Sequence, residues 1–543
     1  MADPRYEPHR FKPMKPHVPQ YTHQHEAMSP PAMLSSQKYG APVLASSGFQ
    51  NPAPRHGESI MHAMPSGRRF IAGEAFFNYE AFGSLRPEFN PIDLFSFDFL
   101  GLAINAMCSG FVFTMLKYGF RQLLAQYVRV EYPTIMSNLK YFLEWPGGFA
   151  IFIGFLSDCR PIKMRRRKPY MIIGRTLVWC TIAAVLMLQV MHVPSLSMTV
   201  EFAQRERLRE RGRLQALYFV LYYIAAAAAQ GFSVMFIVAD DENSVRSKLS
   251  VGDLSVILAA ACLVPVPFII AFLEEPPVTN SVHFSVRRRV RELWRFCHQN
   301  VVIRILCFLC IYFFIIGLYN STARLAIAYW SGISAAKQPS VYASDFSGYC
   351  ISLLIWMKFM VNQSWPRVAG VGSVVFVLGN LLFTALVTFD VVRADWFYII
   401  ATTVLDMPNA WIKLYAVVLS TEIADNGREG VTMGLVYASQ MMIAVSAHMF
   451  SGQLGKWIDF GVTPRDVAFD GISTRNRIFT GAVIVASINL LATGLVLVLP
   501  QQKLDAQQLR AFGGYNRYAS YGIAAGFTVL LLSLSIYFLV QLS

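Results

Sequence analysis

The sequence has little charge for its length. Asp, Glu, Lys and Arg make up 15% of its 543 residues, while hydrophobic residues make up 55%, and the mean hydropathy is positive. Soluble globular domains carry about 25% charged residues. A water-soluble globular fold is therefore excluded, and the composition predicts a membrane protein with several spans.

Enzyme and metal-site motifs are also missing. No glycine-rich phosphate loop, no H-E-x-x-H and no G-x-S-x-G stands in a context that would support catalysis. Most of the eight cysteines lie in apolar runs. The pair Cys307 and Cys310 has no histidine or further cysteine nearby, which favours packing over metal binding or redox chemistry. We therefore predict no enzyme activity, no cofactor and no metal.

Positive charge is present but local. The formal net charge is +14, yet the basic residues cluster in short loops beside apolar runs, as in membrane proteins with positively charged inner loops. Nucleic-acid binding would need a basic face with interleaved aromatic residues, and none is visible. The predicted partner is the lipid bilayer, with no nucleic acid.

Twelve apolar runs are long enough to cross about 30 Å of hydrocarbon as helices. Alternation with period 2 is absent, so the sequence predicts an all-α polytopic membrane protein. The runs are residues 93–118, 138–158, 169–191, 214–238, 252–273, 301–328, 343–361, 367–391, 396–420, 430–454, 478–500 and 520–541.

Residues 1–90 differ from the rest in composition. They hold twelve of the 27 prolines and six of the ten histidines, and they contain no apolar run long enough for a signal peptide. This composition predicts a disordered cytoplasmic tail.

The loop after the second apolar run has the clearest pattern. Residues 154–170 read GFLSDCRPIKMRRRKPY, and six positive charges between two apolar runs place the loop on the cytoplasmic side. Gly154, four residues before Asp158 and a basic run, resembles the signature loop of the major facilitator superfamily. The longer pattern resembles that of the folate-biopterin transporter family. The resemblance implies close helix approach at Gly154 and gating contacts of Asp158 with Arg166 and Arg167.

Separate matches extend the resemblance over about residues 93–520. They are Val200-Glu201 with Ala203-Gln204-Arg205, Asp390-Val391-Val392-Arg393 with Trp396-Phe397, and Glu422 with Asn426-Gly427-x-Glu429-Gly430. The resemblance implies a two-bundle helical transporter of folate, biopterin or a related pterin-like solute, working by alternating access, with protons as a candidate coupling ion. Glu422 with Arg428, beside Glu429, is predicted to be a second gating contact.

One interval is too short for this scheme. Residues 201–213 carry five arginines and are predicted to be cytoplasmic like the loop at 160–168, so two crossings must lie between them. Residues 169–203 number 35, whereas two crossings need roughly 40 residues plus a turn. We expect an N-terminal bundle that lacks most of the family's fourth helix, with 192–213 irregular or interfacial; divergence and an incorrect gene model both explain this.

The expected organisation follows from these features. It comprises the tail (1–90), an N-terminal bundle one helix short (91–275), a basic cytoplasmic central loop (276–300), a C-terminal bundle (301–500), and a linker with an extra span (501–543).

Charged residues inside apolar runs are the candidate substrate contacts, because each one needs a partner or a function. Asp406, Asn409 and Lys413 stand at i, i+3 and i+7, hence on one helix face. A carboxylate can accept two hydrogen bonds from a pterin edge, and a lysine can bind the glutamate tail of folate. An internal Asp-Lys structural pair is the alternative. Lys358 and Asp98 are further candidates, for which snorkelling to an interface is the alternative.

Three functions stay open on the sequence alone. The first is a transporter of a small organic solute, and the second is a transporter-derived protein that no longer transports. A membrane-embedded enzyme is the remote third.

Overall fold

A computed structural model describes residues 83–120, 123, 141, 144–177, 184–237, 248–277, 286–334 and 336–542. Within these ranges the regular elements are helices, accompanied only by two isolated bridges. Nearly all of the predicted tail 1–90 lies outside the described residues.

The described residues of the N-terminal bundle form seven α-helices. They are α1 (Leu100–Thr114, continued by a π-helical turn Met115–Gly119), α2 (Ala150–Cys159, preceded by a 3-10 turn Trp145–Phe149), α3 (Lys168–Leu177), α4 (Ala184–Ala203), α5 (Arg213–Phe236), α6 (Val251–Leu263) and α7 (Pro265–Ala271). Pro265 ends α6 and starts α7, since proline cannot donate a backbone hydrogen bond.

Between the bundles, α8 (Val286–Cys297) occupies much of the expected central loop. The helices that follow are α9 (Asn300–Cys307, continued by a π turn Phe308–Tyr312), α10 (Phe313–Ile316), α11 (Ser321–Trp330), α12 (Gln338–Ile355, continued by a π turn Trp356–Met360), α13 (Trp365–Thr388), α14 (Asp395–Ile423), α15 (Glu429–Ile458), α16 (Pro464–Phe469), α17 (Ile472–Leu495, continued by a 3-10 turn Val496–Val498), α18 (Lys503–Phe512) and α19 (Arg517–Leu542).

The described helices do not confirm twelve spans. Seven are long and apolar enough to cross a membrane, and an eighth is counted if the pair Asn300–Ile316 and Ser321–Trp330, bent by 52°, forms one span. The predicted run at 396–420 does form a helix, α14, but its charges at Asp395, Asp406, Lys413 and Glu422 lower its hydropathy.

The short interval after Pro169 folds as a helical hairpin. Gly174 of α3 packs against the backbone of Met187 and Met191 of α4, and Arg167, just before α3, contacts Glu201 near the end of α4. The two helices are therefore antiparallel and return the chain to its starting face. The expectation of an irregular segment at 192–213 is wrong for 192–203, which are helical. The irregular segment was predicted because the hairpin occupies only residues 168–203, fewer than the roughly 40 residues plus a turn that two full crossings need.

Two of the helix pairs between the bundles pack especially closely. A Cβ on Gly154 of α2 would lie 2.0 Å from the Gly430 carbonyl oxygen of α15, so the two backbones touch. Any larger residue at Gly154 would push these helices apart. The second pair is α5 with α12, where the Tyr223 ring lies 6.1 Å from Phe346 and 5.1 Å from Tyr349.

Candidate functional site

A network of buried ion pairs closes one face of the molecule. We call it the basic face, because it carries the loop 160–167. Arg167 is fully buried there; its Nη2 lies 2.7 Å from Glu429 and 3.3 Å from Asp158, and its Nη1 pairs with Glu201. Burial alone would lower the pKa of Arg167, but these carboxylates outweigh it and raise that pKa. One guanidinium thus holds α2 and α4 of one bundle to α15 of the other.

Asp158 adds a second type of contact between the bundles. Its carboxylate accepts the backbone N–H groups of Gly430 (3.3 Å) and Val431 (2.8 Å). These groups belong to the first turn of α15, where unpaired N–H donors and the helix dipole favour an anion. The predicted contact of Asp158 with Arg167 is present, and its gating role stays a prediction. Arg166 instead lies beside Gly427.

The predicted pair of Glu422 and Arg428 is wrong. Glu422 accepts from Arg211 at 3.1 Å and from Gln507 at 2.6 Å, whereas Arg428 pairs with Asp425 at 3.0 Å and Glu292 at 3.3 Å. Glu422 faces inward at the end of α14, where a buried carboxylate needs a buried cation, and Arg211 supplies it from the other bundle.

Two members of the network, Arg86 and Glu275, were not among the residues predicted from the sequence. Arg86 contacts Glu201 at 3.1 Å and also pairs with Glu429. Glu275 accepts the backbone N–H groups of residues 166, 167 and 168 at 2.8 to 2.9 Å and so caps α3. Acidic residues directly beside apolar runs were the available signal, because each needs a partner at the membrane boundary.

Helix α18 lies across the same face. The Lys503 ammonium donates to the Leu208 carbonyl oxygen at 3.0 Å and to Asn362 at 3.2 Å, which ties both bundles together. Burial lowers the pKa of Lys503 to about 7, and burial raises the pKa of Glu206 to about 7. The network is therefore built largely from groups without access to water.

Asp406, Asn409 and Lys413, which were predicted to share one face of α14, do lie on one side of that helix. Asn409 donates to Asp406 at 3.3 Å, the Tyr349 hydroxyl donates to the other Asp406 oxygen at 3.3 Å, and the Lys413 ammonium lies 4.9 Å from the Tyr349 ring centroid. Asp406 and Lys413 do not form a direct ion pair. Instead they share Tyr349, which leaves part of each charge available to another partner.

More polar groups surround this face within the C-terminal bundle. Asp345 of α12 accepts from Thr403 at 3.3 Å, and the Arg324 guanidinium lies 4.6 Å from the Tyr319 ring. Tyr319 also bonds to His448, on which Tyr141 stacks at 3.5 Å. We call Asp345, Arg324, Asp406 and Lys413 the central charges.

The N-terminal bundle faces the central charges with a pair of its own. Lys117, in the π-helical turn after α1, pairs with Glu144, and both act electrostatically on Lys413. Next to Lys117, Tyr118 packs against Tyr342 of the other bundle at 4.3 Å. The Lys413 side chain is exposed, although groups of both bundles surround it. Lys117 lies inside the apolar run 93–118, and a charge at such a position indicates a candidate functional residue.

Asp98 and Lys358, the two other candidate substrate contacts, lie away from the central charges. Asp98 precedes α1 and is exposed, so its predicted placement inside the first helix is wrong. The reason is that α1 begins seven residues later than the apolar run 93–118. Lys358 lies near the basic-face end of α12, exposed and 5.2 Å from the Phe359 ring centroid. The structure does not bring either residue to the central charges.

The comparisons with known proteins rest on structure. The structure is similar to that of the human organic anion transporter MFSD10 (TETRAN), with a TM-score of 0.51 and 13% sequence identity, over 74% of this chain and 98% of that one. This chain has the major facilitator fold. No family model and no curated protein matches the sequence. The major facilitator fold is thus shown, while membership of the folate-biopterin family is not.

Proposed function

We propose that the protein is a secondary transporter that carries a small organic solute between its two bundles by alternating access. The major facilitator fold supports this, together with two features of the interior. The network around Arg167 closes the basic face with contacts that can be broken and remade. The central charges of the C-terminal bundle lie opposite Lys117 and Glu144 of the N-terminal bundle, and a solute bound there would be reached from one side at a time.

The observation that carries the proposal is the arrangement of Asp406, Tyr349 and Lys413. Asp406 offers a hydrogen-bond acceptor, Tyr349 a ring face and Lys413 a cation, and the three side chains are neighbours. This arrangement suits a planar solute with N–H donors at one end and a carboxylate at the other. Folate has both features, and biopterin has only the first. We propose a pterin-like organic solute, with folate as the fuller match; the similar human protein is named for organic anions.

Orientation and coupling belong to the same proposal. We place the amino terminus and the loops at 159–168 and 276–298 in the cytoplasm, because of their arginine excess. We propose protons as the coupling ion, because Asp345 and Asp406 act electrostatically on each other and both lie next to the solute position. Plasma and internal membranes are both compatible with this arrangement.

The test is uptake of folate and of biopterin into vesicles that contain the purified protein. We expect uptake by the wild type, and Asp406→Asn should lose about tenfold or more for both solutes, since one acceptor oxygen becomes a donor. Asp395→Asn is the matched control, because it makes the same exchange at an exposed position of the same helix, and it should leave uptake of both solutes unchanged. Full uptake by Asp406→Asn would overturn the binding assignment.

A second candidate, a protein that has lost transport, is favoured by Arg175. This residue is fully buried in the N-terminal bundle, and within the described ranges its hydrogen-bond partners, Asn105 and Ser109, are neutral. A buried cation without a carboxylate is costly, which is consistent with a bundle that has lost part of its polar machinery. Absence of wild-type uptake for both solutes and for a panel of organic anions would establish this candidate.

A further inference from the structure

A row of arginines on α8 has no counter-charge among the residues that the structure describes. The helix contains five arginines and one acidic residue, Glu292. Glu292 is already in contact with Arg288 at 3.1 Å, Arg289 at 3.4 Å and Arg428 at 3.3 Å. Arg287, Arg291 and Arg295 are exposed and form no ion pair with any described residue.

These three arginines share one face. They stand at i, i+4 and i+8, so their side chains follow each other along the helix at about 6 Å per step. Like charges at this spacing destabilise a helix unless an anion neutralises them. The opposite face, with Phe296 and Cys297, is buried against the protein. The arginine row therefore points away from the protein, where its guanidinium groups are accessible to an external anion.

The chain connections place the row beside two helices that enter the membrane. Residue 298 links α8 to α9, and its carbonyl oxygen accepts from Asn516 at 2.8 Å, directly before α19. The segment 517–538 of α19 is apolar enough to cross a membrane. Because α9 and α19 both begin at this point, the C-terminal end of α8, which carries Arg295, lies next to the start of two apolar helices.

Exposed aromatic rings lie at the same end of α8. Tyr518 and Tyr521, in the first turns of α19, are 89% and 61% exposed, and the Tyr521 ring packs against Trp294 of α8 at 5.0 Å. Tyrosine and tryptophan prefer the headgroup region, where an apolar ring meets water. Basic residues beside such rings are typical of surfaces that bind acidic lipids.

We propose that the row Arg287, Arg291 and Arg295 binds the phosphate groups of acidic phospholipids in the leaflet at the basic face. The bound lipid neutralises the arginine row and thereby favours the present position of α8. That position also fixes Glu292 next to Arg428, at the N-terminal end of α15. Lipid binding at this surface is thus connected by one ion pair to the closed network of the basic face.

The test measures lipid affinity without transport, so its outcome is independent of the proposed function. Purified full-length protein in detergent is titrated with phosphatidylserine or phosphatidylcholine, and thermal unfolding reports binding. We expect stabilisation by phosphatidylserine only. Each arginine removed should weaken that binding about fivefold, and Arg287→Gln with Arg291→Gln and Arg295→Gln about a hundredfold. Added salt should weaken wild-type binding.

The matched control is Lys456→Gln with Arg465→Gln and Arg477→Gln. It removes three exposed charges that lie away from the basic face of the molecule and should bind phosphatidylserine like the wild type. Equal binding of phosphatidylserine by the α8 triple variant would overturn the proposal. Equal stabilisation by phosphatidylcholine would also overturn it. Equal affinity for soluble glycerol phosphate would show a general anion site, and preference for an acidic peptide would show a protein-binding surface; either result rejects the lipid.

Discussion

Replacing Arg167 by methionine is expected to open the basic face. Three carboxylates converge on this buried guanidinium, those of Asp158, Glu201 and Glu429. Removing one partner of a buried ion pair costs about 3 to 5 kcal/mol, because the remaining charges stay buried without compensation. Only the closed state is destabilised, because the three carboxylates become hydrated again when the bundles separate. The open population should rise roughly a hundredfold.

The native thiol of Cys159 reports this opening. It is 5% exposed at the closed face, so its modification by a thiol reagent requires the bundles to part. We expect its labelling rate, quantified by mass spectrometry, to rise roughly a hundredfold in Arg167→Met. Arg160→Met makes the same change at an exposed position of the same loop and should leave the rate unchanged. Glu429→Gln, which keeps the shape, should give a smaller rise. An unchanged rate in both network variants, with helicity retained, would contradict the gating role.

Lys413→Ala is expected to separate the two solutes. If the ammonium binds the carboxylates of the folate tail, its loss removes a charge-assisted contact of about 1.5 to 3 kcal/mol. Folate uptake should fall ten- to a hundredfold, whereas biopterin, which has no such tail, should lose less than about threefold.

The control is Lys358→Ala, which removes a lysine that the structure places away from the central charges. It should leave both solutes unaffected. Equal losses of folate and biopterin uptake in Lys413→Ala would show that Lys413 supports the bundle and does not bind solute.

The sequence predicted the helices well and the short hairpin poorly. Apolar runs determine where helices form, because backbone groups in lipid must be satisfied within the helix. The hairpin of α3 and α4 does not follow from the sequence if every crossing is taken to span the full thickness of the bilayer. A helix pair packed among neighbouring helices need not supply two full crossings, and no local sequence pattern indicates which pairs will be short.

The site was predictable where its residues lie on one helix. Asp406, Asn409 and Lys413 follow from helical spacing alone. Arg211 and Glu422, which are 211 residues apart, meet only because the two bundles close on each other. Glu422 had been assigned to Arg428, its nearest basic residue in sequence. Contacts between bundles depend on tertiary packing, so sequence spacing carries no information about them.

The central claim is that transport requires the basic face to open, and a reversible link across it tests this directly. Gln215 of α5 donates to Thr421 of α14 at 2.5 Å, which joins the two bundles at this face. In Gln215→Cys with Thr421→Cys, a reducible thiol cross-linker should abolish folate uptake into vesicles, while folate binding persists and reduction restores uptake. Each single-cysteine variant should be unaffected by the reagent. Uptake that continues at its original rate in the cross-linked protein would contradict the alternating-access account.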